Sequence, residues 1–252
     1  MGKLSFFEKI FLKLPHSLIY NLYRFFRSKE FNKKQEERKI IVKGKEKYSL
    51  KGFDDNECIF IHIPKAGGVS LALNLFGNLG YGHRPIYKYL YIFNQKEFKK
   101  YFKFTFARNP WDRLVSAYFF LKAGGFHKED AEWYEMHLSK YKDFEDFVLN
   151  WVNEDNIYKG IHFIPQYEFI TINSKVAVDK IYKIEEFNNS VKEINEVLNK
   201  DILLTHENKS KREKDYRTYY SSKTQKIVEE VYKKDILLFG YSFSDTSHKS
   251  EI

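Results

Sequence analysis

The chain has 252 residues, of which 43% are hydrophobic and 18% aromatic, and its formal net charge is +9. That length suits one α/β domain with a full core and little beyond it, and the apolar and aromatic content excludes general disorder. Its one cysteine, Cys58, excludes an internal disulfide framework and a cysteine-cluster metal site, and fits a reducing compartment.

The charge is unevenly placed. Residues 1–50 carry thirteen Lys or Arg against five Glu, a balance of +8, so a basic arm precedes a nearly neutral body. With a neutral body and no nucleic-acid-binding motif, nucleic acid is not an expected partner. Within the arm, Phe6, Phe7, Ile10, Phe11 and Leu14 repeat at helical spacing, and after Pro15 so do Leu18, Ile19, Leu22, Tyr23 and Phe26. Lys9, Lys13, Arg24 and Arg27 fall outside the apolar stripe. Two readings stand: residues 4–27 lie on an anionic membrane surface, or the stripes dock on the chain's own body. No apolar run approaches the roughly 18–20 residues of a spanning helix. Signal-peptide and myristoylation patterns are not met. The expected location is cytoplasmic, with peripheral attachment to the inner face of a membrane under the first of these readings. Residues 28–50 read as an exposed charged helix or linker, giving an arm over 1–50, a domain over 51–243 and a frayed tail over 244–252.

The body is organised around the stretch from Cys58 to Leu71. Ile59, Phe60, Ile61 and Ile63 read as a buried strand that Pro64 ends. Gly67 and Gly68 then allow a tight turn that presents backbone N–H groups, and a helix begins over Ser70 to Phe76. Strand, glycine turn, helix start and Lys65 together make an anion cradle. It differs from the standard phosphate loop because Lys65 precedes the glycines. His62, next to the strand, reads as a satisfied core or strand-edge histidine.

Gly80 to Pro85, which carries His83, is a loop. Residues 95–101 suit a short polar helix, and Phe102 to Ala107 form a second strand that runs into Arg108-Asn109-Pro110-Trp111-Asp112-Arg113, where Pro110 opens a helix. Residues 123–142 look like an irregular, mobile insert, and 144–152 a short amphipathic helix. His162 and Gln166 lie on the following loop. A third strand is expected over 177–184, a helix over 187–198, a polar loop over 206–212, and one last helix over 221–239 that Gly240 ends. Strands alternating with helices imply a parallel sheet covered on both faces. Ligands of such sheets sit at the carboxyl ends of the strands, where Lys65 and Arg108 both fall.

Two anion grips at two strand ends suit a ligand phosphorylated at two places with a nucleoside between. Arg108 is suited to hold a phosphate bidentately, and Ser116 can share it from the helix. No acidic pair flanks either grip to hold Mg²⁺, which counts against a kinase using ATP. That kinase and a non-catalytic nucleotide binder are the alternatives.

The stretch His62-Ile-Pro-Lys65-Ala-Gly-Gly-Val-Ser70-Leu resembles the 5′-phosphosulfate loop of the carbohydrate sulfotransferases, and Arg108-Asn-Pro-Trp-Asp-Arg-Leu-Val-Ser116-Ala-Tyr resembles their 3′-phosphate motif. The Pro165-Gln166 segment, the Asn208-Lys-Ser loop and the ending from Tyr219 to Tyr241 are similar as well. The resemblance implies a P-loop NTPase-like three-layer fold and a donor, 3′-phosphoadenosine 5′-phosphosulfate, that leaves as adenosine 3′,5′-bisphosphate without a metal. It implies a carbohydrate acceptor: glycan, polysaccharide or glycolipid. Lys65 would neutralise the leaving oxygen, while Gly67, Gly68, Val69 and Ser70 hold the 5′-phosphate. Ala66 stands where the family commonly has Thr, so one hydroxyl contact to the donor is in doubt. Arg108 and Ser116 would take the 3′-phosphate, with Lys209 and Arg212 closing over it or lying in a solvated charge run. His83 occupies the place of the family's histidine base, or else makes a structural hydrogen bond; His162 is the reserve base and, with Gln166, borders the acceptor cleft. The lack of a spanning anchor and of cysteine pairs counts against a Golgi-lumen enzyme. The Lys/Asn/Ile/Phe-rich composition points to a bacterial source, and a lipid-linked or capsular glycan would suit a membrane-seeking arm.

Overall fold

A computed structural model describes residues 3–202 and 212–245. In chain order the helices are α1 (Phe6–Phe11), α2 (His16–Phe26), α3 (Ser28–Glu37), α4 (Lys51–Asp55), α5 (Gly68–Phe76), α6 (Gln95–Lys100), α7 (Pro110–Lys122), α8 (Lys128–His137), α9 (Phe144–Asn150), α10 (Tyr167–Ile170), α11 (Phe187–Leu198), α12 (Ser222–Val231) and α13 (Lys233–Phe239). The strands are β1 (Cys58–Ile61), β2 (Phe102–Ala107), β3 (Thr171–Ile172), β4 (Lys175–Val176) and β5 (Lys180–Lys183). They fall into two compact units, one built on residues 3–107 and 168–202, the other on 108–167 and 212–245.

The first unit holds a parallel sheet in the order β1-β2-β5. Cys58 pairs with Phe102 and Ile61 with Thr105; Phe104 pairs with Lys180 and Ala107 with Lys183. All four residues of β1 are buried, which is why that strand reads as an unbroken apolar run in place of an alternating one. Thr105, buried in the central strand, donates its hydroxyl proton to the Ile61 carbonyl at 2.7 Å. A short antiparallel hairpin of β3 and β4, unforeseen in the sequence, precedes β5. All three strands of the parallel sheet end on one edge, where the Lys65 loop follows β1.

The arm packs on this unit over much of its length. Leu12 and Ile19 are buried with Tyr87 and Leu90. The His16 Nε2 lies 3.2 and 3.0 Å from the carbonyl oxygens of Leu90 and Phe93, so it donates to the end of the 3₁₀ turn over Ile86–Tyr91. Arg38 pairs with Asp54 at 2.6 Å and Glu97 at 2.9 Å, its guanidinium lying 4.5 Å from the ring centre of Phe93. For Leu12, Ile19, Phe31 and Arg38 the docking reading of the arm therefore holds. No helix among the described residues is long and apolar enough to cross a membrane.

The second unit is helical. Its core gathers Trp111, Leu114, Val115 and Tyr118 of α7 with Phe147, Trp151, Phe163, Val228 and Tyr232. Two expectations change here. The supposed irregular insert contains α8, whose start is fixed by the Asp130 carboxylate accepting the Phe126 N–H at 3.0 Å, and whose Trp133 packs on Phe163 at 5.6 Å between ring centres. The last helix is two, α12 and α13, divided at Tyr232, whose hydroxyl donates to the Phe163 carbonyl at 2.7 Å. Of the expected tail, residues 246–252 lie outside the described residues.

Candidate functional site

The first group of site residues belongs to the strand-bearing unit. After β1 the chain turns over Ile63–Ala66, closed by the Ala66 N–H donating to the Ile63 carbonyl at 3.4 Å. Pro64 takes the second position and Lys65 the third with φ of 65°. That is the pattern of a type II turn, whose third position ordinarily takes Gly or Asn. Holding a lysine there costs on the order of 1–3 kcal/mol, a strain that concentrates at ligand-binding loops. Gly67 follows with φ of 77° as the N-cap of α5 and supplies no side-chain cap. The first amides of α5 thus meet no acceptor from the N-cap residue, and they carry the positive end of the helix dipole.

Two close approaches press this loop onto the unit. A Cβ on Gly67 would lie 2.1 Å from Cδ1 of Ile184, just past β5, and one on Gly68 would lie 2.3 Å from Cδ2 of His62 and 2.9 Å from Cζ of Phe60. Ala66 is buried, so its methyl belongs to the packing beneath the loop. Val69 and Ser70 are half-buried in the first turn of α5.

His62 is a core residue, as expected, but not a satisfied one. Its ring stacks on Phe60 at 5.7 Å, and its buried Nδ1 has no hydrogen-bond partner among the described residues. Burial, with the neighbouring His83 and the Lys65 ammonium, holds its pKa well below the ordinary histidine value, so it stays neutral at pH 7.

His83 comes to the same place from the loop after α5. Its ring centre lies 4.3 Å from that of His62, and its Nδ1 lies 2.9 Å from the His62 carbonyl oxygen. A carbonyl only accepts, so Nδ1 carries the proton and the basic lone pair is at Nε2. The structural hydrogen bond foreseen as the rival to a base role is present.

The second group belongs to the helical unit. Asn109 caps α7 by accepting the Trp111 N–H at 3.1 Å, and its amide donates to the Tyr216 hydroxyl at 3.1 Å and the Ser242 carbonyl at 2.9 Å. Pro110 opens the helix as foreseen. Arg108 grips one carboxylate oxygen of Asp112 through Nε at 2.8 Å and Nη2 at 2.7 Å, and Arg212 holds the other oxygen. Two guanidinium groups thus share one carboxylate. Nε of Arg212 is buried without a hydrogen-bond partner among the described residues. Ser116 is buried in α7, two turns from its start.

Gln166 has a different job from the one expected. It is 0% exposed, its Oε1 accepts the Arg108 N–H at 2.9 Å and its Nε2 donates to the Arg108 carbonyl at 2.8 Å. An amide committed at both ends braces Arg108 and does not face an acceptor. Asp235 extends the brace, accepting the N–H of Gln166 at 2.7 Å and of Tyr167 at 2.8 Å. Burial pushes its carboxyl up to about 6, against the pull of these hydrogen bonds and of Arg113. His162 is half-buried against Phe120 at 5.1 Å between ring centres. Lys209 lies outside the described residues.

The bridge from Asp112 to Arg108 has a helical i, i+4 spacing that a sequence can show. Arg212 lies 100 positions from Asp112 and Asp235 lies 69 positions from Gln166, with no local signal.

The Sulfotransferase family model matches residues 84–242, well over half of the chain. The match takes in Arg108, Ser116, His162, Gln166 and Arg212, while the Lys65 loop and His83 precede it. No curated protein and no solved structure matches the chain. With the Arg108 motif, its Asp112 and Arg212 partners and the Gln166 brace all inside the matched span, the chain belongs to the sulfotransferase family.

Proposed function

We propose that the chain transfers a sulfuryl group from 3′-phosphoadenosine 5′-phosphosulfate to a carbohydrate hydroxyl by in-line displacement, with His83 as base. The observation that supports this reading is the 2.9 Å bond from His83 Nδ1 to the carbonyl of His62, three residues before Lys65, which leaves the lone pair of the neutral ring on Nε2. In the reaction the acceptor oxygen forms a bond to sulfur as the bond from sulfur to the 5′-phosphate oxygen breaks. The hydroxyl proton passes to Nε2 of His83, and the electron pair of the broken bond stays on the departing bisphosphate. Lys65 and the first amides of α5 stabilise the charge that develops there. Gly67, Gly68, Val69 and Ser70 hold the 5′-phosphate. Arg108 and Ser116 hold the 3′-phosphate, and Arg212 adds charge through Asp112. Sulfuryl transfer, like phosphoryl transfer, asks for positioning and charge stabilisation more than for covalent chemistry. This reading takes the P-loop-like three-layer architecture as the frame for both grips, and glycans, polysaccharides and glycolipids as the acceptor class.

The test is transfer of radiosulfur from labelled donor to a panel of polysaccharides and glycolipids by wild type, His83→Ala and Lys65→Ala. Each substitution should lower the rate by about 10²-fold or more, the usual contribution of a positioned base or a charge-stabilising donor. Transfer that is indifferent to His83→Ala would remove the base. Magnesium-dependent transfer from ATP, with none from the sulfated donor, would replace the reading with a kinase.

A further inference from the structure

The arm's apolar stripe divides into two parts. Leu12, Ile19 and Phe31 are buried on the body, yet Phe6, Phe7, Phe25 and Phe26 are 72%, 81%, 78% and 72% exposed. Phe6 touches Phe7 edge to face at 6.1 Å, and Phe25 touches Phe26 at 5.1 Å. Ile10 and Leu18 are exposed as well. On α2, Ile19, Tyr23 and Phe26 form one ridge; its first residue is buried and its second stacks on Tyr91 at 4.7 Å, but its last overhangs. Phe11 of α1 meets the same Tyr91 ring at 6.3 Å, so the two helices flank one anchor. α1 runs from Phe6 to Phe11 and α2 from His16 to Phe26, so Phe6-Phe7 lie in the first turn of α1 and Phe25-Phe26 in the last turn of α2.

The surroundings of these rings are cationic. Residues 3–30 hold six Lys or Arg against Glu8 and Glu30. Both acids are engaged: Glu8 takes the Ser5 N–H at 2.9 Å in a capping box, and Glu30 accepts the Tyr23 hydroxyl at 3.0 Å and lies 3.7 Å from Arg27. Lys9, Lys13, Arg24 and Arg27 are exposed. Scattered single exposed apolar residues are ordinary, whereas two bare aromatic pairs on docked helices, each within a few residues of exposed cations, share one chemistry.

From this we infer that the α1–α2 segment is a membrane-surface anchor, with Phe6, Phe7, Phe25 and Phe26 entering the headgroup region of an anionic bilayer and Lys9, Lys13, Arg24 and Arg27 facing its lipid phosphates. The inner half of the stripe fixes the two helices to the protein and the outer half fixes the protein to lipid. The anchor is independent of the transfer reaction.

The experiment is sedimentation of the full chain with vesicles of phosphatidylcholine alone and with added phosphatidylglycerol, at low and high salt. Wild type should pellet with the anionic vesicles, and high salt should weaken binding. Phe25→Ser with Phe26→Ser should weaken it about tenfold or more, and Lys9→Glu with Lys13→Glu should do so only on anionic vesicles. These side chains are exposed, so thermal midpoints should be unchanged, which separates lost binding from lost folding. Binding that is equal for the two vesicle types, or unchanged in the aromatic variant, would overturn the proposal. So would concentration-dependent self-association in place of lipid binding, which would make the partner a second copy of this chain.

Discussion

Gly68→Ala tests the seat of the Lys65 loop. The added methyl would stand 2.3 Å from Cδ2 and 2.7 Å from Nε2 of His62, and 2.9 Å from Cζ of Phe60. Carbon atoms rest at about 3.5–4.0 Å, so the methyl is about 1 Å too close to a ring that cannot swing aside. That ring is buried, stacked on Phe60 and set 4.3 Å from His83. Overpacking of this kind costs about 1–3 kcal/mol, which for a chain of this size lowers the thermal midpoint by roughly 2–4 °C per kcal/mol. The start of α5 must lift, and with it the amides proposed to meet the 5′-phosphate. Calorimetric scanning of wild type, Gly68→Ala, His62→Ala and the double variant closes a cycle. The Gly68→Ala penalty should shrink by about 1 kcal/mol or more when the His62 ring is gone. An equal penalty in both backgrounds, or none in either, would refute the packing argument.

Breaking the arginine bridge is the second test. Asp112→Ala leaves the almost buried Arg212 beside Arg108 without the carboxylate between them, and loss of one partner from such a group costs about 3 kcal/mol or more; chemical denaturation should read this as a lower midpoint, and an unchanged midpoint would show the bridge to be incidental. A third test uses acid. The Asp235 carboxyl is raised from 3.8 to about 6 in the folded chain, so the folded state keeps its proton where the unfolded chain has lost it. The stability this provides is present below about pH 4 and is lost as pH rises through 6. Wild type should therefore lose on the order of 3 kcal/mol relative to Asp235→Asn between about pH 4 and pH 7, and a difference that does not vary with pH would contradict the assignment.

The strands of the parallel sheet and the turns that follow β1 and β2 were legible because their signals are local. Buried parallel strands read as apolar runs, and Pro64, Gly67 and Pro110 mark where the chain must turn. The arm was half legible: periodicity shows that a helix has an apolar face but not what covers it, and the contacts of His16 and Arg38 to distant carbonyls and carboxylates leave no pattern. Gln166 was expected at the acceptor cleft because its segment resembles the family's and its loop should border that cleft; only the fold shows its amide spent on Arg108. The break between α12 and α13 falls at a tyrosine with no Gly or Pro beside it. The position of α8 depends on Trp133 finding Phe163 and on Asp130 capping the helix start, neither of which helical periodicity records.

The central claim is a metal-free site for a nucleotide bearing phosphates at both the 3′ and 5′ positions. Isothermal calorimetry of adenosine 3′,5′-bisphosphate with EDTA present, on wild type, Lys65→Ala and Arg108→Ala, tests it most directly. The account predicts binding to wild type, weaker binding in both variants, and discrimination against ADP that disappears with Arg108→Ala. Failure to bind the bisphosphate, or equal binding of ADP by wild type, would contradict it.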